Sequence, residues 1–156
     1  MIGNDIVDLE AALKESDWRR KGYLEKIFSP DERFLISSAK DAETMVWLLW
    51  TMKESAYKIF SRAEKIRIFA PAAIVCNNLI IHKNTATGHV RHQNQLYFTG
   101  SSITEKYIHT IAVPDMDLLN KVEVKISSYD PGDSTYSASN PASVSHHGGY
   151  LALAYL

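Results

Sequence analysis

Two carboxylates and a lysine, Asp5, Glu54 and Lys58, are the residues of this 156-residue chain whose types and spacing suit phosphate chemistry. Asp5 lies in the run Gly3-Asn4-Asp5-Ile6-Val7-Asp8. Glu54 and Lys58 lie one helical turn apart in Trp50-Thr51-Met52-Lys53-Glu54-Ser55-Ala56-Tyr57-Lys58. Magnesium prefers oxygen ligands and takes one or two protein carboxylates while substrate phosphates and waters complete its octahedron. Asp5 and Glu54 fit that pair, and Lys58 fits a point cation set against phosphate charge. Each also has a plainer reading. Asp5 fits a cap or a turn, and Glu before Lys at i,i+4 is the commonest surface helix pair, worth about 0.3–0.5 kcal/mol.

Ser145 and His146, just before Gly148-Gly149, concentrate a hydroxyl, an imidazole and accessible backbone amides, a set that suits phosphate or pyrophosphate. A turn with solvent-facing histidines suits the same residues. His82, His89, His92 and His109 lack metal-ligand spacing with one another or with Cys76, which argues against zinc. There is no G-x-S-x-G elbow, P-loop or G-x-G-x-x-G motif.

The elements that must position these residues are legible in outline. Ile2 to Leu9 reads as a short strand with imperfect alternation, in which an acid stands where an apolar residue is cheaper. Leu9 to about Arg62 reads as helical, interrupted at Lys21-Gly22, with two or three helices before a longer final one. Ser29-Pro30-Asp31-Glu32 is a capping box with proline at the first helical position. From about Asp41 to Arg62, Met45, Leu48, Leu49, Met52, Ala56, Ile59 and Phe60 form one apolar stripe, and Trp47, Thr51, Glu54 and Lys58 lie opposite.

Beyond Arg62 the spacing predicts strands at Ile66–Phe69, Ala73–Cys76, Leu79–His82, Gln95–Thr99, Tyr107–Val113 and Val122–Ser127, punctuated by Asn77-Asn78, Gly88, Gly100 and Pro114. Ser128–Asn140 reads as a loop, and Pro141–Leu156 closes the chain with an apolar strand from Tyr150. The expected fold is α+β, with N-terminal helices packed on an antiparallel β-sheet in a single domain over 1–156.

With 46% hydrophobic and 22% charged residues, the composition is that of a soluble globular domain. A net charge of −1 argues against bulk attraction to nucleic acid or an anionic membrane. The lone cysteine excludes an intrachain disulfide. The N-terminus carries Asp5, Asp8 and Glu10 in place of a secretory signal, and no apolar run reaches about 18 residues. These features predict a cytoplasmic protein.

Four segments, taken together, resemble a 4′-phosphopantetheinyl transferase, closest to the short holo-acyl-carrier-protein synthase branch. They are Gly3–Asp8, Tyr23-Leu24-Glu25-Lys26-Ile27-Phe28-Ser29-Pro30-Asp31-Glu32, Trp50–Lys58, and Ser143-Val144-Ser145-His146. The resemblance implies that Asp5 and Glu54 bind Mg²⁺ and that Lys58 contacts the phosphates of coenzyme A. It implies Ser145 and His146 as further coenzyme contacts, and Glu54 or a metal-bound water as the base. The implied reaction moves the phosphopantetheinyl group from coenzyme A to a serine of an apo acyl or peptidyl carrier protein, releasing 3′,5′-ADP.

Val7 stands where long-form members often carry a further acid, which favours the short branch. A segment from Ser101-Ser102-Ile103-Thr104 through Ala112 is also similar to the family's terminal hairpin but has no histidine after its serine pair. Carrier proteins are usually acidic, so Arg19, Arg20, Lys21 and Lys26, the densest basic cluster, are the expected docking residues, or else a solvated helix face. The single copy of each motif implies a self-associating chain, with a trimer favoured. The alternative function is a member of the same fold that binds coenzyme A or a carrier protein without catalysis.

Overall fold

Residues 1–156 are described by a computed structural model. The chain opens with β1 (Gly3–Asp8), followed by α1 (Leu9–Glu15), α2 (Tyr23–Ile27), α3 (Pro30–Ser38) and the long α4 (Ala42–Glu64). Seven strands follow: β2 (Ile74–His82), β3 (Thr85–His92), β4 (Gln95–Ile103), β5 (Tyr107–Val113), β6 (Glu123–Ser128), β7 (Ser143–His147) and β8 (Tyr150–Tyr155). All pairings are antiparallel, so the α+β expectation holds, but the strands divide between two sheets. One has the order β1-β5-β4-β3-β2 and the other β6-β8-β7.

Polar side chains cap the starts of α1, α3 and α4, while α2 begins after Gly22 in the left-handed region. Asp8 ends β1 and accepts from the N–H groups of Glu10 and Ala11, two of the orphan donors at the head of α1. The capping box of α3 is complete: Glu32 N–H donates to Ser29 Oγ at 3.2 Å and Ser29 N–H donates to Glu32 Oε1 at 2.7 Å. Asp41 caps α4, and Lys65 closes it in the left-handed region.

α4 lies against β1 and β5 and is buried on more than its apolar stripe. Trp47, Thr51, Lys53 and Ser55 are buried as well. Hydrogen bonds rather than exposure accommodate the hydroxyls: Thr51 Oγ1 meets Thr110 Oγ1, and Ser55 Oγ donates to the Thr110 carbonyl. The face opposite the stripe is therefore an interface with the sheet for much of its length.

Four local expectations change. Ile66–Phe69 forms no ladder, leaving Ile66 and Ile68 exposed while Phe69 packs on Trp50 and Tyr57. The runs Ala73–Cys76 and Leu79–His82 are one strand, β2, with an irregularity between Asn77 and Ile80. Thr85–His92, absent from the expected strands, forms β3 with Ala86, Gly88, Val90 and His92 buried in alternation. Gly88 is thus not punctuation. A Cβ there would stand 2.6 Å from Met52 Cε, so the glycine leaves room for the end of that side chain of α4. Gly100 likewise lies within β4, which runs on to Ile103.

The core contains one fully buried ion pair. Lys53 Nζ lies 2.8 Å from Glu32 Oε1 with both side chains fully buried, and it also donates to the carbonyls of Pro71 and Ile74. Glu32 Oε2 accepts from Cys76 N–H at 2.8 Å. This network joins α3, α4 and the start of β2 with every partner satisfied. Removing one member leaves the other charge buried alone, so Lys53→Met is expected to cost about 3–5 kcal/mol in denaturant unfolding. The double variant Glu32→Gln/Lys53→Met is expected to regain part of that loss.

Candidate active site

β1 carries Asp5 and α4 carries Glu54 and Lys58 to one cleft of about 440 Å³. β7 supplies its other wall through Ser145, His146 and His147. The five residues singled out for metal and coenzyme contacts therefore line one space within a single chain. The far side is apolar and aromatic: Val7, Ala12, Tyr23, Trp47 and Trp50 line it. The sequence places Trp47 on a helix face and Tyr23 and Trp50 within the segments that carry the resemblance, and nothing in their spacing marks a shared concavity.

The charged groups are coupled. Lys58 Nζ donates to the Asn4 carbonyl oxygen at 2.6 Å and lies 3.4 Å from Asp5 Oδ1. It turns to β1 rather than to Glu54, so the i,i+4 surface pair does not form. Burial raises the Asp5 carboxyl above its ordinary value, opposed by Lys58 and by the hydrogen bond from Ser145. Glu54 is pushed up to about 7, first by burial and then by the neighbouring Asp5 charge, with Lys58 opposing.

That repulsion bears on a cation. Two carboxylates facing one cleft, one of them driven towards its neutral form by burial and then by the other's charge, would be relieved by a divalent ion between them. Their donors are all oxygen, which suits magnesium rather than a soft metal. No group of three or more His, Cys, Asp and Glu side chains gathers here, so waters and substrate oxygens would complete the shell. The pair fits magnesium on these grounds.

Ser145 and His146 sit differently from one another. Ser145 is buried in β7, accepts from Ile6 N–H at 3.1 Å and donates to Asp5 Oδ1 at 2.9 Å. His146 is exposed and stacks face to face on Tyr129, with ring centroids 4.1 Å apart. His147, not among the expected site residues, accepts from Asp8 N–H through Nδ1 at 2.9 Å, and its Nε2 meets Glu15 at 2.9 Å. The strand period of two was the available signal, since it puts Ser145 and His147 on one face of β7 and His146 on the other.

His109 lies outside the cleft. It is buried on β5, opposite Ile6 of β1, and burial followed by the Lys58 charge pulls its pKa down to about 4. Asn4 Nδ2 lies 3.1 Å from both His109 Nε2 and the Ala152 carbonyl. The carbonyl can only accept, so that atom is the amide nitrogen and His109 Nε2 is the unprotonated ring nitrogen. Ser101, from the second serine pair, is also away from the cleft, bonded to Thr110 at 2.7 Å.

Of the basic cluster, Arg19, Arg20 and Lys21 occupy the turn between α1 and α2, and Lys26 lies in the last turn of α2. Trp18 is buried and donates to Glu43, which also accepts from Trp47 Nε1 at 2.9 Å, so the turn is pinned to α4. Arg19 stacks over Trp18 and pairs with Glu43 at 3.3 Å, and Arg20 lies over Tyr23, a cleft residue. Lys21 and Lys26 are exposed.

The model of one protein family, described as the 4'-phosphopantetheinyl transferase superfamily, matches residues 1–112. The matched stretch contains Asp5, Glu54 and Lys58 and ends within β5, ahead of the second sheet. No curated protein matches the chain.

The raised Glu54 pKa has a defined consequence. The native protein retains a proton there that the unfolded chain releases, so this contribution to stability is full below the ordinary 4.5 and is lost as pH rises through about 7. His109 acts oppositely: its contribution is present above 6.5 and is lost as pH falls through about 4. Denaturant midpoints measured over that range in chelator are expected to fall less steeply towards neutrality in Glu54→Gln than in the parent. Parallel profiles would remove the assigned environment of Glu54.

Proposed function

The chain belongs to the 4′-phosphopantetheinyl transferase superfamily, and on that premise we propose that it is a magnesium-dependent transferase of the holo-acyl-carrier-protein synthase type. Its substrates in this reading are coenzyme A and an apo acyl or peptidyl carrier protein. The observation that carries the reading is the convergence of Asp5, Glu54 and Lys58 on one cleft. Val7 beside Asp5 supports the short branch.

In the proposed reaction the carrier serine Oγ forms a bond to the β-phosphorus of coenzyme A. The bond from that phosphorus to the bridging oxygen breaks, and the oxygen leaves with 3′,5′-ADP. Asp5 and Glu54 would hold magnesium, which when bound neutralises pyrophosphate charge. Lys58, anchored by the Asn4 carbonyl and Asp5, sets a positive charge against the phosphates. Glu54, or a water held by the cation, is the proposed acceptor of the serine proton. His146, exposed at the cleft wall, is assigned to the coenzyme.

Arg19, Arg20, Lys21 and Lys26 are proposed to dock the acidic carrier. Arg20 stands on Tyr23, which puts positive charge beside the apolar side of the cleft. We read the 156 residues as one domain acting in the cytoplasm; no helix is long and apolar enough to cross a membrane. Self-association, with a trimer favoured, belongs to the same reading, although the five cleft residues come from one chain.

Incubation with coenzyme A, Mg²⁺ and a panel of apo carrier proteins is expected to add one phosphopantetheinyl mass to a carrier. Asp5→Ala and Glu54→Ala are expected to abolish the gain. Lys58→Ala is expected to lower kcat by about 100-fold, the scale of losing one preorganised donor to developing charge. Full activity in both carboxylate variants would remove the metal assignment, and no transfer to any carrier would favour the binding-only alternative.

A further inference from the structure

β1 is an edge strand of the five-stranded sheet, and its outward N–H groups need partners that no neighbouring strand supplies. β7 supplies them with side chains. Asn4 N–H donates to Ser143 Oγ at 3.0 Å, Ile6 N–H to Ser145 Oγ at 3.1 Å and Asp8 N–H to His147 Nδ1 at 2.9 Å. The steps of two residues match on the two strands, so one face of β7 stands in for a ladder. All three acceptors lie beyond the family match.

Ser145 differs from the other two in where its second bond goes. Ser143 Oγ also accepts from Arg62 at 3.3 Å, and His147 turns to Glu15. Ser145 is the one whose second partner is a cleft carboxylate, Asp5 Oδ1 at 2.9 Å. Ile6 N–H can only donate, so the serine oxygen accepts there and its single hydrogen is left for the carboxylate. Lys58 approaches the same Oδ1. Oδ2 is then the Asp5 oxygen with no protein partner.

We infer that Ser145 is a positioning residue for Asp5: bonded at once to the β1 backbone and to Asp5 Oδ1, it fixes the carboxylate so that Oδ2 is left for a divalent cation. This rests on the proposed reading of Asp5 as a cation ligand. It replaces the direct coenzyme contact that the resemblance implies, because the serine's hydrogen is already committed and its side chain is buried. A carboxylate turned by one fixed hydrogen bond loses less freedom on binding a cation than one that rotates.

The test uses the full chain with Mn²⁺ alone, free ion being counted by electron paramagnetic resonance, and 3′,5′-ADP binding measured separately in chelator. Ser145→Ala is expected to weaken Mn²⁺ binding by about 10- to 100-fold, the usual effect of removing a residue that orients a metal ligand. Nucleotide affinity in chelator is expected to be unchanged. Ser145→Thr keeps the hydroxyl and is expected to bind Mn²⁺ nearly as the parent does. Ser143→Ala removes an equivalent acceptor from β1 without touching Asp5, and is expected to lose stability with no change in Mn²⁺ affinity.

Should Ser145→Ala fail to fold, Ser145→Cys, whose thiol is a weak donor, is expected to bind Mn²⁺ more weakly than Ser145→Thr. Unchanged Mn²⁺ binding in Ser145→Ala, or in Ser145→Cys relative to Ser145→Thr, would overturn the role of Ser145 alone. So would a loss confined to nucleotide affinity. A parent protein that binds no Mn²⁺ would overturn the proposed cation site and this role together.

Discussion

Close contact between β1 and α4 at Gly3 is the constraint on which the cleft depends. A Cβ on that residue would stand 2.0 Å from the Ser55 carbonyl oxygen, closer than any side chain can come to backbone. Two residues further along β1 lies Asp5, and around Ser55 on α4 lie Glu54 and Lys58. A strand held away by a side chain at position 3 would separate the carboxylates and break the bond from Lys58 to the Asn4 carbonyl. The glycine of the Gly-x-Asp run is therefore a spacing device, and the acid it precedes gains its partners through that spacing.

A close approach is useful only if the helix also has the right rotation, and Lys53 governs that. Lys53 and Glu54 are adjacent, so their side chains diverge by about 100° on the helix. One is locked among Glu32 and the carbonyls of Pro71 and Ile74, and the other enters the cleft. A lysine with three fixed acceptors in a dry core tolerates little rotation or sliding of α4. The network also reaches back to the α3 capping box, since Glu32 serves both Ser29 N–H and Lys53. A cap that looks local in sequence thus ties the order of the early helices to the orientation of the residues proposed for catalysis.

The pattern of what the sequence revealed follows from the range of each interaction. The capping box, the long helix and most strands rest on local periodicity and were legible. β3 was not, because Thr85-Ala86-Thr87-Gly88-His89-Val90 alternates small residues with polar ones and its burial comes from Met52 of α4 approaching Gly88. Ile66–Phe69 read as a strand from its β-branched residues, yet no neighbouring strand pairs with it. Asp5, Glu54 and Lys58 stood out as a set through their motifs. Nothing local foretold that Lys58 bonds β1 rather than Glu54, or that Lys53 is buried, since both need contacts between segments distant in sequence.

Asp5 and Glu54 are also where the fold works against itself. A carboxylate costs least in water, and two carboxylates cost more when each faces the other. Elsewhere in the core the charges and hydroxyls are paired: the buried ion pair is fully bonded, and the hydroxyls of Ser101, Thr110 and Thr51 satisfy one another, while the atoms left without a partner, Asn4 Oδ1 and His92 Nδ1, are uncharged. Repulsion kept at one place, with Lys58 and Ser145 bonded to Asp5 and Glu54 left without a compensating partner, cannot be ascribed to poor packing. Like charges gathered in a cleft are the arrangement expected of a binding position, which supports the proposed reading of this pair. A divalent cation satisfies both carboxylates at once, and an anionic phosphate alone would add to the repulsion. In the proposed reaction, charge balance would therefore favour the cation preceding or accompanying the nucleotide into this cleft.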